Sequence, residues 1–283
     1  MIKRYFHLYT LITVLTFLLF LGSYELGGII NNQSTLKNAI VLTVTAQEKR
    51  VIPSVNILKT NQTSPAKKAL AAITESNALE EIKNVYLTFD DGPTKYTEEI
   101  LDTLLENQAK ATFFPLKNNI DRYPQIVKRI VREGNAIGCH GVTHDVTQFY
   151  ATPNTTLNEI LSCNQSLSDV TGNTSKLIRV PFGSYPYMKE SHRELINNAG
   201  FIMWDWNIDS EDWTLTSDDQ VKNSVETQLA QLAKKNITPV ILFHDKKVTS
   251  EALELIIKLL DDQDYTFSTI TEDLTPLQFR PAD

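Results

Sequence analysis

From Val85 almost to the C-terminus, short apolar runs alternate with stretches of helical apolar spacing. This pattern persists over about 190 residues and restricts the chain to a few architectures. Residues 85–89 form an apolar-rich run ending in Asp90-Asp91-Gly92-Pro93, the pattern of a buried strand followed by a turn. Residues 97–105 have apolar positions at helical spacing, with Thr97 as a candidate cap and Glu98 and Glu99 in the first turn, where the helix dipole favours them. Further strands are predicted at 111–114, 136–139, 177–180, 201–206, 240–243 and 266–270, and helices at 124–133, 155–171, 189–199, 218–235 and 249–262. Such alternation predicts an α/β fold with a parallel sheet, open or closed into a barrel. Sites in these folds gather at the C-terminal ends of the strands, where this chain places its unusual polar residues.

Composition narrows the class further. Of 283 residues, 42% are hydrophobic and 22% charged, which suits a packed core and excludes a disordered acidic chain. The net charge of −7 argues against a nucleic-acid partner, and two cysteines are too few for a disulfide scaffold. The charge is unevenly placed. Residues 1–83 hold nine basic and five acidic side chains (+4), which leaves −11 on residues 84–283. Between Arg4 and Glu25 no residue is Lys, Arg, Asp or Glu, and a helix of that length spans about 30 Å, the thickness of a bilayer core. Lys3 and Arg4 before it predict a cytoplasmic N-terminus. Leu21-Gly22-Ser23 matches a cleavage site poorly, so an uncleaved membrane anchor is favoured over secretion after cleavage. The expected organisation is a cytoplasmic tip and transmembrane helix over 1–32, an extracellular stalk over 33–83, one domain over 84–275 and a tail over 276–283.

The chain has five histidines, His7, His140, His144, His192 and His244. His140 and His144 are four apart, a spacing that puts both imidazoles on one face if the segment is helical. Asp90 and Asp91 add two adjacent carboxylates at a strand end, which repel one another unless a cation or an Arg compensates. Asp91, His140 and His144 would give the oxygen and two nitrogens of a catalytic metal site, leaving Asp90 free for proton transfer. Taken singly, each feature also reads as a structural histidine or a solvated turn.

Five motifs in order strengthen the first reading. Thr88-Phe89-Asp90-Asp91-Gly92-Pro93, His140 to His144, Arg179-Val180-Pro181-Phe182-Gly183, Asp209-Ser210-Glu211-Asp212-Trp213 and Leu242-Phe243-His244 resemble the five motifs of the polysaccharide deacetylases of carbohydrate esterase family 4, the NodB-homology family. The resemblance covers roughly residues 84–275 and implies a distorted (β/α) barrel. It also implies that Asp91, His140 and His144 bind a divalent metal, zinc first, with cobalt, manganese or nickel admitted by the mixed donor set. Asp90 would be the general base, paired with Arg179. His244 would be the general acid, oriented by Asp212. The metal and a backbone N–H near Phe182 would stabilise the oxyanion.

Trp204, Trp206 and Trp213 cluster within ten residues. Trp206 matches the family's pocket tryptophan and is assigned with Leu242 to the acetyl pocket, while Trp204 is assigned to the core. Phe182, Gly183 and Tyr185 are further substrate-site candidates, with Tyr187 as a second aromatic at the groove; for both tyrosines a bland surface reading stands equally. Asp209 is divided between a site residue and a loop carboxylate. Gly141 stands where the family usually has Ser or Thr, removing a hydroxyl that braces the loop. Pro115-Leu116-Lys117 replaces a glycine-containing stretch at the rim. Cys139, beside a ligand, reads first as an inert buried thiol, then as an extra ligand or a partner for Cys163.

The resemblance implies a metal-dependent hydrolase that removes N-acetyl groups from an extracellular amino-sugar polymer, with N-acetylglucosamine of peptidoglycan first. Chitin-like oligosaccharides, exopolysaccharide or N-acetylmuramic residues are alternatives, as is a non-catalytic glycan-binding relative. A glycoside hydrolase needs two carboxyls flanking the bond, which adjacent aspartates cannot do. The expected setting is the outer face of a Gram-positive cell membrane, with an N-acetylated glycan as partner, the membrane contacted through the N-terminal helix, and no nucleic acid or obligate protein partner.

Overall fold

The computed structural model describes residues 82–279. The predicted anchor, nearly all of the stalk and the last four residues lie outside the described residues. Among the described residues no helix is long and apolar enough to cross a membrane.

Strand β1 (Asn84–Asp90) is the central strand of the larger sheet. On one side it pairs with β2 (Ala111–Phe114), which pairs with β3 (Ala136–Ile137). On the other it pairs with β7 (Val240–His244), which pairs with β6 (Ile208–Asp209). A short β8 (Thr266–Phe267) pairs with the start of β1. A second ladder joins β4 (Leu177–Ile178) to β5 (Ile202–Met203), and a bridge between Cys139 and Ile178 links it to the continuation of β3. All these pairings are parallel. The ladders follow the order β6-β7-β1-β2-β3 and then β4-β5; no ladder among the described residues joins β5 to β6. The ring is interrupted there.

Alternation along β1 explains why its sequence is nearly continuously apolar. Val85, Leu87 and Phe89 point into the larger core with α1 (Thr97–Glu106), α3 (Pro124–Arg132), α7 (Asp218–Ala233) and α8 (Lys247–Asp261). Tyr86 joins Phe114, Leu177, Trp204 and Val240 in a cluster on the opposite side, the core position expected for Trp204. Thr88 and Asp90, on that same side of β1, reach the fully buried Arg179. Helix α5 (Pro153–Thr171) organises a third cluster with α6 (Glu190–Asn198).

Three local expectations need correction. Thr97 is the first residue of α1 and not its cap, and its hydroxyl donates to Asp245 at 2.5 Å. Two short helices, α2 (Lys117–Arg122) and α4 (Val146–Phe149), and strand β6 carry too few apolar positions to show a period. Cys139 is not a free thiol: it forms a disulfide with Cys163 of α5, with both residues fully buried.

Candidate active site

The parallel register sets the site. Asp90 ends β1 and is the direct partner of His244, which ends β7. His140 follows β3, Arg179 follows β4 and Asp209 ends β6, so five elements deliver side chains to one end of the sheet. There Asp209 joins Asp91, His144, Phe182, Trp206, Trp213, Leu242 and Lys246 in lining a cleft of about 440 Å³. Asp90, His140 and His244 are also cleft residues, whereas Arg179 lies fully buried beneath it.

Asp91, His140 and His144 converge, with one potential ligand atom from each within 4.8 Å of the others. The Asp91 Oδ1 lies 3.6 Å from His140 Nε2 and 3.5 Å from His144 Nε2. That oxygen is buried and has no hydrogen-bond partner, an arrangement that costs free energy unless a cation or donor completes it. The His140 Nδ1 is 2.8 Å from the carbonyl oxygen of Arg179; donating there fixes the tautomer and turns a lone pair on Nε2 towards Asp91. Burial, then the neighbouring His140, lowers the His144 pKa and favours the neutral, ligating form. These donors fit a divalent metal.

The histidines do not meet by helical spacing. Residues 140–145 form a loop, and Gly141 and His144 lie at φ +95° and +46°. Glu159 of α5 braces this loop, accepting from the Val142 and Thr143 N–H groups at 2.9 and 3.0 Å and from the Thr143 hydroxyl at 2.7 Å. Asp91 and Phe182 also have left-handed backbone, at φ +70° and +64°, a costly conformation for residues with a Cβ that is held here by surrounding contacts. The Asn119 amide holds the Asp91 carbonyl at 2.6 Å.

Arg179 donates to the Asp90 Oδ1 at 3.0 Å, to the Thr88 hydroxyl at 2.7 Å, and to the carbonyls of Trp204 and Asp205 at 3.1 and 3.0 Å. A charge with no water contact is tolerable only with such a full set of acceptors. Asp212 is equally well tied. Its Oδ1 is 2.7 Å from His244 Nδ1, and its Oδ2 accepts from the His244 N–H at 2.7 Å and the Thr249 hydroxyl at 2.5 Å. Burial alone would pull the His244 pKa down, but the hydrogen bond and charge of Asp212, with Asp90 and Asp91, push it up to about 9. Burial, partly offset by the Glu211 N–H, raises Asp209, which lines the cleft.

Trp206 and Leu242 line the cleft together, and Trp213 adds an exposed indole that the sequence reading left unassigned. Gly183 packs against Trp206: a Cβ on it would lie 3.1 Å from the indole. Tyr185 is half exposed and does not line this cleft. Three carboxylates that matter to the site escaped the sequence reading: Glu159, Asp205 and Asp245. Asp245 is buried beside Gly92, and burial, only partly offset by the Thr97 hydrogen bond, pushes its pKa up to about 7. Asp205, set between two tryptophans in an apolar stretch, carried a signal for a buried carboxylate.

Comparison with known proteins places this geometry in a family. The polysaccharide deacetylase family model matches residues 79–204. YheN of Bacillus subtilis is 39% identical over 197 residues, covering 69% of this chain and 70% of its own. A peptidoglycan-N-acetylglucosamine deacetylase of Bacillus cereus is 38% identical over 200 residues, covering 68% of this chain and 71% of its own. The crystal structure of a Bacillus cereus polysaccharide deacetylase superposes with a TM-score of 0.65 at 36% identity, over 70% of this chain and 97% of that one. With five motifs, a shared fold and relatives aligned over most of their length, the chain belongs to the polysaccharide deacetylase family of carbohydrate esterase family 4.

Proposed function

We propose that this protein removes N-acetyl groups from N-acetylglucosamine in peptidoglycan, using a divalent metal held by Asp91, His140 and His144. The observation that carries the reading is the meeting of this donor trio, the Asp90–Arg179 pair and the Asp212–His244 pair in one cleft. The name of the Bacillus cereus relative at 38% identity supports the polymer. The apolar segment between Arg4 and Glu25 supports a membrane-anchored, outward-facing enzyme.

A bound divalent ion supplies Lewis acidity, lowering the pKa of a water and polarising the amide carbonyl. The protein supplies the rest. Asp90 takes the proton of the attacking water as its oxygen bonds to the carbonyl carbon, and Arg179 fixes which carboxylate oxygen is free to do so. The backbone N–H near Phe182 donates to the developing oxyanion. His244, protonated and oriented by Asp212, gives its proton to the amide nitrogen. The C–N bond then breaks, leaving acetate and a free amine on the sugar. Trp206 and Leu242 enclose the acetyl methyl.

Acetate release from N-acetylated peptidoglycan tests the reading. The protein with metal should release acetate, removing the metal should abolish release, and Asp90→Asn should lower kcat by roughly a hundredfold or more while leaving metal affinity nearly intact. Full activity in complete chelator, or an active Asp90→Asn variant, would contradict the metal or the base assignment respectively.

A further inference from the structure

The C-terminal segment Leu277–Phe279 lies behind one wall of the cleft, and a fully buried carboxylate holds it there. Asp205 accepts from the Ser184 N–H at 2.8 Å, from the Phe279 N–H at 2.6 Å and from the Ser184 hydroxyl. Its own N–H donates to the Leu277 carbonyl at 2.8 Å. Arg193 closes the arrangement from the other side, donating to the carbonyls of Ser184 and Phe279 at 3.0 and 3.1 Å and to Gln278 Oε1 at 3.2 Å. Ser184 directly follows the Phe182-Gly183 turn. One carboxylate therefore joins the turn beside the cleft, the segment leading into Trp206, and a stretch of chain 74 residues away.

The clamp holds an aromatic ring in place. Phe279 meets Trp206 edge-on with ring centroids 4.9 Å apart. A Cβ on Gly183 would lie 2.7 Å from the Phe279 ring and 3.1 Å from the indole, so the three residues leave no room between them. Trp206 lines the cleft, and Phe279 packs edge-on against its indole. We propose that Phe279, positioned by Asp205 and Arg193, is a specificity-determining residue that backs Trp206 and limits the acyl group transferred to water to the size of acetyl. This rests on the reading of Trp206 as a wall of the acyl pocket.

Trimming Phe279 gives the indole room to move back, which opens the pocket by more than a methylene. One methylene in an apolar pocket changes selectivity by roughly tenfold or more. The test uses the full chain with metal and glucosamine oligomers carrying N-acetyl, N-propionyl or N-butyryl groups. Phe279→Ala should raise the ratio of kcat/KM for propionyl over acetyl roughly tenfold, mainly by raising kcat/KM for the propionyl substrate. The visible spectrum of the cobalt-substituted protein should stay unchanged, because the metal ligands are untouched. Phe279→Leu, which keeps bulk behind the indole, should return the ratio towards that of the wild type. Arg193→Gln, which loosens the clamp without altering the ring, should shift the ratio in the same direction by less. A ratio unmoved in Phe279→Ala, or an equal loss on all three substrates, overturns the inference while wild-type acetate release leaves the function standing. A wild type that releases no acyl group overturns both.

Discussion

A histidine in water titrates near 6.5, so at neutral pH most of it cannot donate a proton. In this site Asp212 changes that by accepting from both the ring and the backbone of His244, and its charge more than offsets the effect of burial. As the proposed acid, His244 must be protonated to act, so activity should fall as pH rises through about 9. Asp212→Asn removes the charge but leaves the burial. Its alkaline limb should move down towards or below 6.5, and kcat at pH 7 should drop by roughly tenfold or more, as a pH profile of kcat will show. A limb that stays near 9 would assign it to another group. The raised pKa also means that the folded protein keeps a proton which the unfolded chain loses above 6.5. The stabilisation from this pair is complete below 6.5 and is lost as pH climbs through about 9.

The long elements were legible because their signals are local. β1 and β2 are short apolar runs buried on both faces, and α3, α5, α7 and α8 have enough turns to show a helical period. α2, with Ile120 as its one buried residue, and the four-residue α4 do not. The histidine loop departs from its spacing for a related reason: four residues apart resembles a helix, but the left-handed Gly141 and His144 take the chain round a different path. Gly141 also explains how the loop lacks the hydroxyl usual in the family. A Cβ there would sit 2.8 Å from the Phe149 ring, so a serine would crowd it, and the bracing comes from Glu159 instead. Glu159→Ala should weaken metal binding roughly tenfold in competition with a chromophoric chelator, with helix content unchanged by circular dichroism. Undiminished affinity would show that the loop holds its shape without the carboxylate.

At the scale of the molecule, the Cys139–Cys163 disulfide ties the residue before His140 to α5, which also carries Glu159. The two cysteines are 24 residues apart, and closing a loop of that length stabilises a fold by about 3 kcal/mol through the unfolded chain. The double variant Cys139→Ala and Cys163→Ala should lose stability of that order in urea unfolding; a loss near zero would mean that the buried contacts suffice. The order of residues along the chain declared the chemistry: a carboxylate pair at a strand end, two nearby histidines, an Arg-x-Pro-Phe-Gly turn and a late histidine, all within an α/β alternation. These are local patterns, and backbone periodicity and turn chemistry report local structure. Which groups meet is a different matter. Arg179 reaches Asp90 across 89 residues, Asp212 reaches His244 across 32, and Asp205 takes hold of Phe279 across 74. No local pattern encodes those distances. They follow from strand register and helix packing, which bring distant segments together only when the whole core has formed.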